Sequence, residues 1–282
     1  MEHIAAYQKQ FLDFLNNKKW PSNPERLYAP ITYILGLGGK RLRPVLTLMG
    51  ANAFGQQTTP ALPAALAVEL FHNFTLLHDD IMDDAPLRRG KPTVHTKWDN
   101  NLAILSGDAL LIAAYQALEA YEESLYSQLT RVLSKTAIEV CEGQQYDMDF
   151  EKRTNVSEGE YLHMIKLKTA VLVGCALKMG ALIAGASLKQ SEEIYQIGES
   201  IGLAFQIQDG KWYYELESVD SAGGNLLTGL VDMFDASKTL SSGFLPDAID
   251  GQVSYGIGGS GTTTDFVTID GTTLSGTSSP FN

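Results

Sequence analysis

Positive charge is scarce in this sequence: 21 Lys and Arg stand against 33 Asp and Glu, a formal net charge of −12. A nucleic-acid backbone is bound by a basic surface, so that class of partner is not expected. Cysteine is scarcer still. Cys141 and Cys175 lack the spacing of a metal site and read as small buried apolar residues on helices, which points to a reducing cytoplasm. Long hydrophobic runs are missing too: no apolar stretch reaches the roughly 18 residues of a membrane helix. The N-terminal MEHIAAYQKQFLDFLNN is amphipathic, without the charged n-region of a signal peptide. Neither a transmembrane segment nor a signal peptide is expected.

What the sequence has is helical period. With 44% hydrophobic residues it can bury a sizeable core. Helices are predicted over 2–17, closed by Trp20-Pro21 and Asn23-Pro24, and over Glu25–Leu37, closed by Gly38-Gly39. Pro44 opens the next, and further helices are predicted over 60–84, 99–120, 126–150, 158–186 and 190–209.

One stretch organises the rest: FHNFTLLHDDIMDDAPLRRGKP, residues 71–92. At 3.6 residues per turn, His72, Leu76, Asp79 and Asp83 share a stripe, so Asp79 and Asp83 project from consecutive turns. Like charges at i,i+4 destabilise a helix, and no Lys or Arg inside this one offsets them. Two carboxylates beside Arg88 and Arg89 suit Mg²⁺, a hard cation that keeps waters and completes its shell with phosphate oxygens. The alternative is a solvated acidic face. Upstream, the glycine pair and Lys40, Arg41 and Arg43 form a candidate diphosphate site, since arginine forks match phosphate oxygens; the alternative is a basic helix start on the surface.

DDIMD, with GGKRLRP (38–44), LRRGKPTVH (87–95), GDALL (107–111), EGQQYD (142–147), KLKTA (166–170) and GLAFQIQD (202–209), resembles the trans-isoprenyl diphosphate synthases, or polyprenyl synthetases. The resemblance covers residues 1–209. It implies a mainly α fold, an isoprenoid-synthase-type helical bundle around a central cavity, usually in a homodimer. It also implies Mg²⁺-dependent head-to-tail condensation of isopentenyl diphosphate with an allylic diphosphate by a prenyltransferase of the farnesyl or geranylgeranyl type, giving C15–C20 products. By the same resemblance Asp79, Asp83 and Asp209 hold metal. Lys40, Arg43, His72 and Arg89 take isopentenyl diphosphate; Arg88, Lys168, Thr169 and Gln206 take the allylic diphosphate. Asp79, Asp83, Arg88 and Lys168 carry the catalysis, and Gln144 and Asp147 support the metal ligands from behind. Phe74 and Thr75, five and four positions before Asp79, would form the floor that limits product length. Taken alone, His72 is as readily a core histidine, and Gln144 and Asp147 a polar helix face.

The resemblance stops at Asp209. Where the family carries a second aspartate motif, Gly210 and Tyr213 replace two of its three carboxylates. Residues 210–282 hold no Arg and no His, only Lys211 and Lys238, and are rich in Gly, Ser and Thr. KWYYELESV, NLLTGLVDM, QVSYGIGG and TDFVTIDG read as short β-strands, GKWYYELE being similar to the opening strand of SPRY-like sandwiches. The expectation is an incomplete bundle, 1–209, followed by a short β-rich segment, 210–282, joined without a linker as in a chimera. Its function is then an impaired synthase or a non-catalytic diphosphate-binding scaffold. A segment so poor in apolar residues at helical spacing leaves helix faces in 168–209 uncovered, at about 25 cal/mol per Å² of forgone burial.

Overall fold

A computed structural model describes residues 2–212 and two short strands at 253–254 and 266–267. The chain divides into two compact units, Met1–Ala236 and Ser237–Asn282. In the second, Val253–Ser254 pairs antiparallel with Phe266–Val267, within two of the runs read as strands. The remainder of the SPRY-like reading lies outside the described residues.

The first unit is mainly helical over its described residues. It begins with α1 (Glu2–Asn17), α2 (Glu25–Gly36) and α3 (Leu42–Ala53). Then α4 (Leu62–Met82), entered through a 3₁₀ turn at Thr59–Ala61, precedes a two-stranded hairpin, β1 (Leu87–Arg88) and β2 (Lys91–Pro92). After the short α5 (Val94–Lys97) come α6 (Asn100–Leu118) and α7 (Glu123–Phe150). Helix α8 (Glu158–Ile165) runs through a π-turn at Lys166–Ala170 into α9 (Val171–Ile183), and α10 (Leu188–Trp212) follows. The predicted helices all form, with ends shifted by a few residues. Capping accounts for the sharpest starts: the Asp99 carboxylate accepts from the Leu102 N–H at 2.9 Å, and Ser157 with Glu160 completes a capping box.

Helix α9 is the axis of the packing. Twelve of its thirteen residues are buried, with α3 against one side and α10 against another, while α4 lies along α6. A helix apolar all round belongs at the centre of a bundle. The α3–α9 approach is close enough for backbone contact: a Cβ on Gly180 would meet the Thr47 carbonyl and lie 2.7 Å from the Ala51 nitrogen. Phe71, Leu46, Leu48 and Leu177 fill the core on either side.

The expected absence of long apolar runs is corrected. Thr59–Met82 and α6 are long and apolar enough by length and composition to cross a membrane. Apart from Glu69, the charges of α4 crowd its last turns, so its earlier turns qualify; 72% of that apolar window is buried inside the bundle, against 39% for α6. Helix α6 accordingly leaves Ile104, Leu105 and Ile112 exposed.

The Gly180 contact gives a first prediction. Gly180→Ala should destabilise the protein by about 1–3 kcal/mol through overpacking against backbone that cannot rotate away. Gly159→Ala, with nothing within 4 Å of the added carbon, should be neutral or stabilising. Urea denaturation midpoints read both, and equal midpoints for the two variants would show that α3 and α9 are not in backbone contact.

Candidate active site

Helix α4 carries the site, and its acidic and basic ends are set by different partners. Arg43, on the first turn of α3, places Nη1 3.2 Å from His72 Nε2. The Arg43 Nε is buried with no partner among the described residues. Arg89, at the tip of the hairpin with φ of 53°, lays its guanidinium over Gly39 and donates from Nη1 to the Gly38 carbonyl. A side chain on Gly39 would occupy that space, its Cβ 2.7 Å from the Arg89 Cζ, so the glycine pair is the seat of an arginine. Lys40 is exposed beside it.

Burial first, then Arg43, Arg89, Arg88 and Arg41, holds the His72 imidazole well below its ordinary pKa. The ring is therefore neutral at pH 7 and makes no demand for an anion of its own. Arg43 and Arg89 do: burial lowers both guanidinium pKa values, and neither has an ion-pair partner among the described residues. A half-buried guanidinium at Arg43 and an exposed one at Arg89, both without a carboxylate, make a seat for a multivalent anion.

Arg41, the middle of the three basic residues in GGKRLRP, is instead turned into the core. With φ of 50° it pairs with Glu69, both side chains almost fully buried. Asn73 Nδ2 donates to the same carboxylate at 3.0 Å. This network was missed in the sequence, although Glu69 in an otherwise apolar helical run was the available signal, since a buried charge needs a partner.

The four aspartates divide equally plainly. Asp80, 1% exposed, accepts two hydrogen bonds from Arg88 Nε at 2.9 Å and one from Arg88 Nη2 at 2.6 Å. It fixes Arg88, whose Nη1 takes no part in the pair. Asp79 is half-buried, and burial pushes its carboxyl up to about 6, with Asp83 and Asp80 adding to the shift and Lys168 opposing it. Asp83 caps the helix one turn later and is exposed; Asp84 turns away with φ of 47°. Asp79, Asp83 and Asp84 are thus the three without an arginine partner among the described residues, and of these Asp79 and Asp83 lie on consecutive turns. Among the described residues no group of three His, Cys, Asp or Glu comes together.

Lys168 closes the site from α7 and the π-turn. Its ammonium lies 2.5 Å from Asp147 Oδ2, and its charge bears on Asp79. Sequence periodicity puts Lys168 and Thr169 mid-helix; the structure puts them in a widened turn, where the Val171 N–H reaches back to the Lys166 carbonyl. Gln144 is 8% exposed and its Oε1 has no partner among the described residues. Phe74 stands between Phe71 and His78, ring centroids 5.6 and 4.7 Å away, and the Thr75 hydroxyl donates to the His72 carbonyl at 2.9 Å. Gln206 is half-buried on α10. The side chain of Asp209 lies outside the described residues.

The profile of the polyprenyl synthetase family matches residues 24–211. The chain belongs to the polyprenyl synthetase family. A geranylgeranyl diphosphate synthase of Methanosarcina mazei is 49% identical over 190 residues, which are 67% of this chain and 59% of that one. A crystal structure of a geranylgeranyl pyrophosphate synthase aligns with a TM-score of 0.73 at 58% identity, over 74% of this chain and 64% of the other. A polyprenyl synthase from Caulobacter crescentus CB15, crystallised with calcium and isoprenyl diphosphate, aligns at 29% identity with a TM-score of 0.65, over 74% of this chain and 64% of the other. This polyprenyl synthetase-family chain therefore spans less than two thirds of the length of these relatives, and shares their helical fold over the aligned part.

His72 yields a pH prediction. Its folded pKa is depressed, so below about 6.5 the unfolded chain binds a proton that the folded one refuses, and stability falls with pH there. Between pH 7 and 5 the wild-type urea midpoint should drop more steeply than that of His72→Gln. Parallel slopes would show a ring that protonates freely in the fold.

Proposed function

We propose that this chain binds isopentenyl diphosphate at the arginine–histidine cluster and an allylic diphosphate at the aspartate end of α4, and joins them head to tail as a farnesyl- or geranylgeranyl-type prenyltransferase. The carrying observation is the pairing of two unlike sites on one helix. His72 and Asp79 are seven residues apart, which is about 10 Å of helix axis. That length brings two diphosphates close without merging them.

Arg43, His72, Arg89 and Lys40 take the isopentenyl diphosphate. Asp79 and Asp83, with Asp209, would hold Mg²⁺; the donors fit, being hard carboxylate oxygens, and burial with the acidic neighbours Asp83 and Asp80 raises the Asp79 carboxyl to about 6, a cost that a cation would offset. When bound, Mg²⁺ supplies Lewis-acid stabilisation of the charge that gathers on the allylic diphosphate as its C–O bond ionises. Arg88, pre-aimed by Asp80, offers Nη1 to that diphosphate, and Lys168, Thr169 and Gln206 surround it. The double bond of isopentenyl diphosphate attacks the allylic carbocation, and the proton then lost goes to the released diphosphate. Phe74, braced by Phe71 and His78, and Thr75 beside it form the floor that stops growth at C15–C20.

Residues 1–209 form the synthase-like domain in this reading, and 210–282 a β-rich addition. Gly210 and Tyr213, in place of carboxylates, leave the metal with fewer ligands and the reaction slow. The same two residues favour a second reading, a diphosphate-binding scaffold that no longer turns over. The exposed Ile104, Leu105 and Ile112 of α6 support a homodimer, and the free Cys141 and Cys175 a reducing cytoplasm, although only Cys175 is buried as expected and Cys141 is exposed on α7.

The test is turnover of isopentenyl diphosphate with geranyl diphosphate and Mg²⁺, alongside calorimetric binding of each. The wild type should bind both and turn over orders of magnitude more slowly than an intact relative, because lost metal carboxylates remove several kcal/mol of transition-state stabilisation. Asp79→Ala should abolish Mg²⁺-dependent binding of geranyl diphosphate and spare isopentenyl diphosphate. Binding without any turnover selects the scaffold, and unchanged binding in Asp79→Ala rejects the metal assignment. Phe74→Ala should lengthen whatever products form; an unaltered product distribution removes the floor.

A further inference from the structure

The EGQQYD segment of α7 meets the π-turn in a way that metal support does not explain. A Cβ on Gly143 would collide with the Lys168 backbone nitrogen and lie 2.6 Å from the Lys168 Cα and 2.7 Å from the Leu167 carbonyl carbon. All three are backbone atoms, so no rotamer change could relieve the contact. Four residues on, one turn along the same face of α7, Asp147 takes the Lys168 ammonium at 2.5 Å. One residue is thus gripped at two points, main chain and side-chain tip. On its other side the π-turn is met by Gly202 of α10, whose added Cβ would lie 2.6 Å from the Ala170 Cα. A widened turn needs room on both flanks, and a glycine supplies it on each.

We infer that Gly143 and Asp147 are positioning residues that clamp the π-turn so that Lys168 is presented beside Asp79, and that Gly143 matters for its missing side chain. The inference rests on the functional reading above, in which Lys168 contacts the allylic diphosphate. In that setting a methyl at 143 drives the turn away from α7, pulls the ammonium off its carboxylate, and weakens the allylic site while leaving the arginine–histidine cluster, on α3, α4 and the hairpin, untouched.

The experiment measures geranyl diphosphate and isopentenyl diphosphate binding, each with Mg²⁺, to the full chain and to Gly143→Ala, Asp147→Asn, Lys168→Ala and the double variant Gly143→Ala/Lys168→Ala. Gly143→Ala should weaken geranyl diphosphate by roughly tenfold to a hundredfold, the size of a lost charge-assisted hydrogen bond, with isopentenyl diphosphate unchanged. Asp147→Asn, which adds no atom to the packing, should shift the same ligand in the same direction. In the Lys168→Ala background the Gly143 substitution should add little, because its effect runs through that side chain. Equal loss of both ligands in Gly143→Ala, or full additivity in the double variant, would make Gly143 a general packing residue and overturn the clamp. A wild type that binds neither diphosphate would instead bring down the functional reading and the clamp with it.

Discussion

Helix α9 sets the terms for everything around it. Its turns touch α3 at the level of backbone, and a single methyl group at Gly180 has no room. Contacts of that kind are stiff, since interiors packed to crystal density do not yield gradually. They fix the height at which the π-turn enters α9, and hence the height at which Lys168 stands relative to the end of α4. The site is consequently built from helix positions rather than from loops, the exceptions being the glycine pair before α3 and the hairpin after α4.

Those exceptions share a backbone feature. Gly38, Gly39, Arg41, Asp84, Arg89 and Gly90 all have positive φ. The two segments they belong to are held together where Arg89 reaches the Gly38 carbonyl. Left-handed conformation at Arg41, Asp84 and Arg89 costs of order 1 kcal/mol or more each, which the Arg41–Glu69 and Arg88–Asp80 pairs and the hairpin offset locally. Strain and charge therefore sit in the same few residues, and four arginines, two of them without a carboxylate, are gathered around one neutral imidazole.

The division of labour among these residues was only partly legible in the sequence. Helix period put Asp79 and Asp83 on one stripe, and neither has an arginine partner among the described residues. The same period rotates Asp80 away by about 100°, toward the buried side, but its partner Arg88 arrives through a turn with non-glycine positive φ that composition does not announce. Lys40, Arg41 and Arg43 look alike in a row of letters. Only the left-handed residue at 41 sends the middle one inward to Glu69, while Arg43 goes to His72. Helix ends were legible where proline and glycine breaks carry local signals; Asp99, Ser157 and Glu160 offered capping signals of the same local kind that were not read. The π-turn was not, because one extra residue in a helical pattern shifts the phase of its neighbours without changing their character. The strands read in residues 210–282 lie almost entirely outside the described residues.

The contact between Arg43 and His72 carries one more meaning. A guanidinium has only protons to give, so His72 Nε2, 3.2 Å from Nη1, accepts. A neutral imidazole has one N–H, and with Nε2 accepting it is on Nδ1. The tautomer is thus dictated from α3, and the ring becomes a polar link with a direction: it receives at the face turned to Arg43 and donates at the other. Its single proton is then the one part of the His72 ring with which it can address anything else.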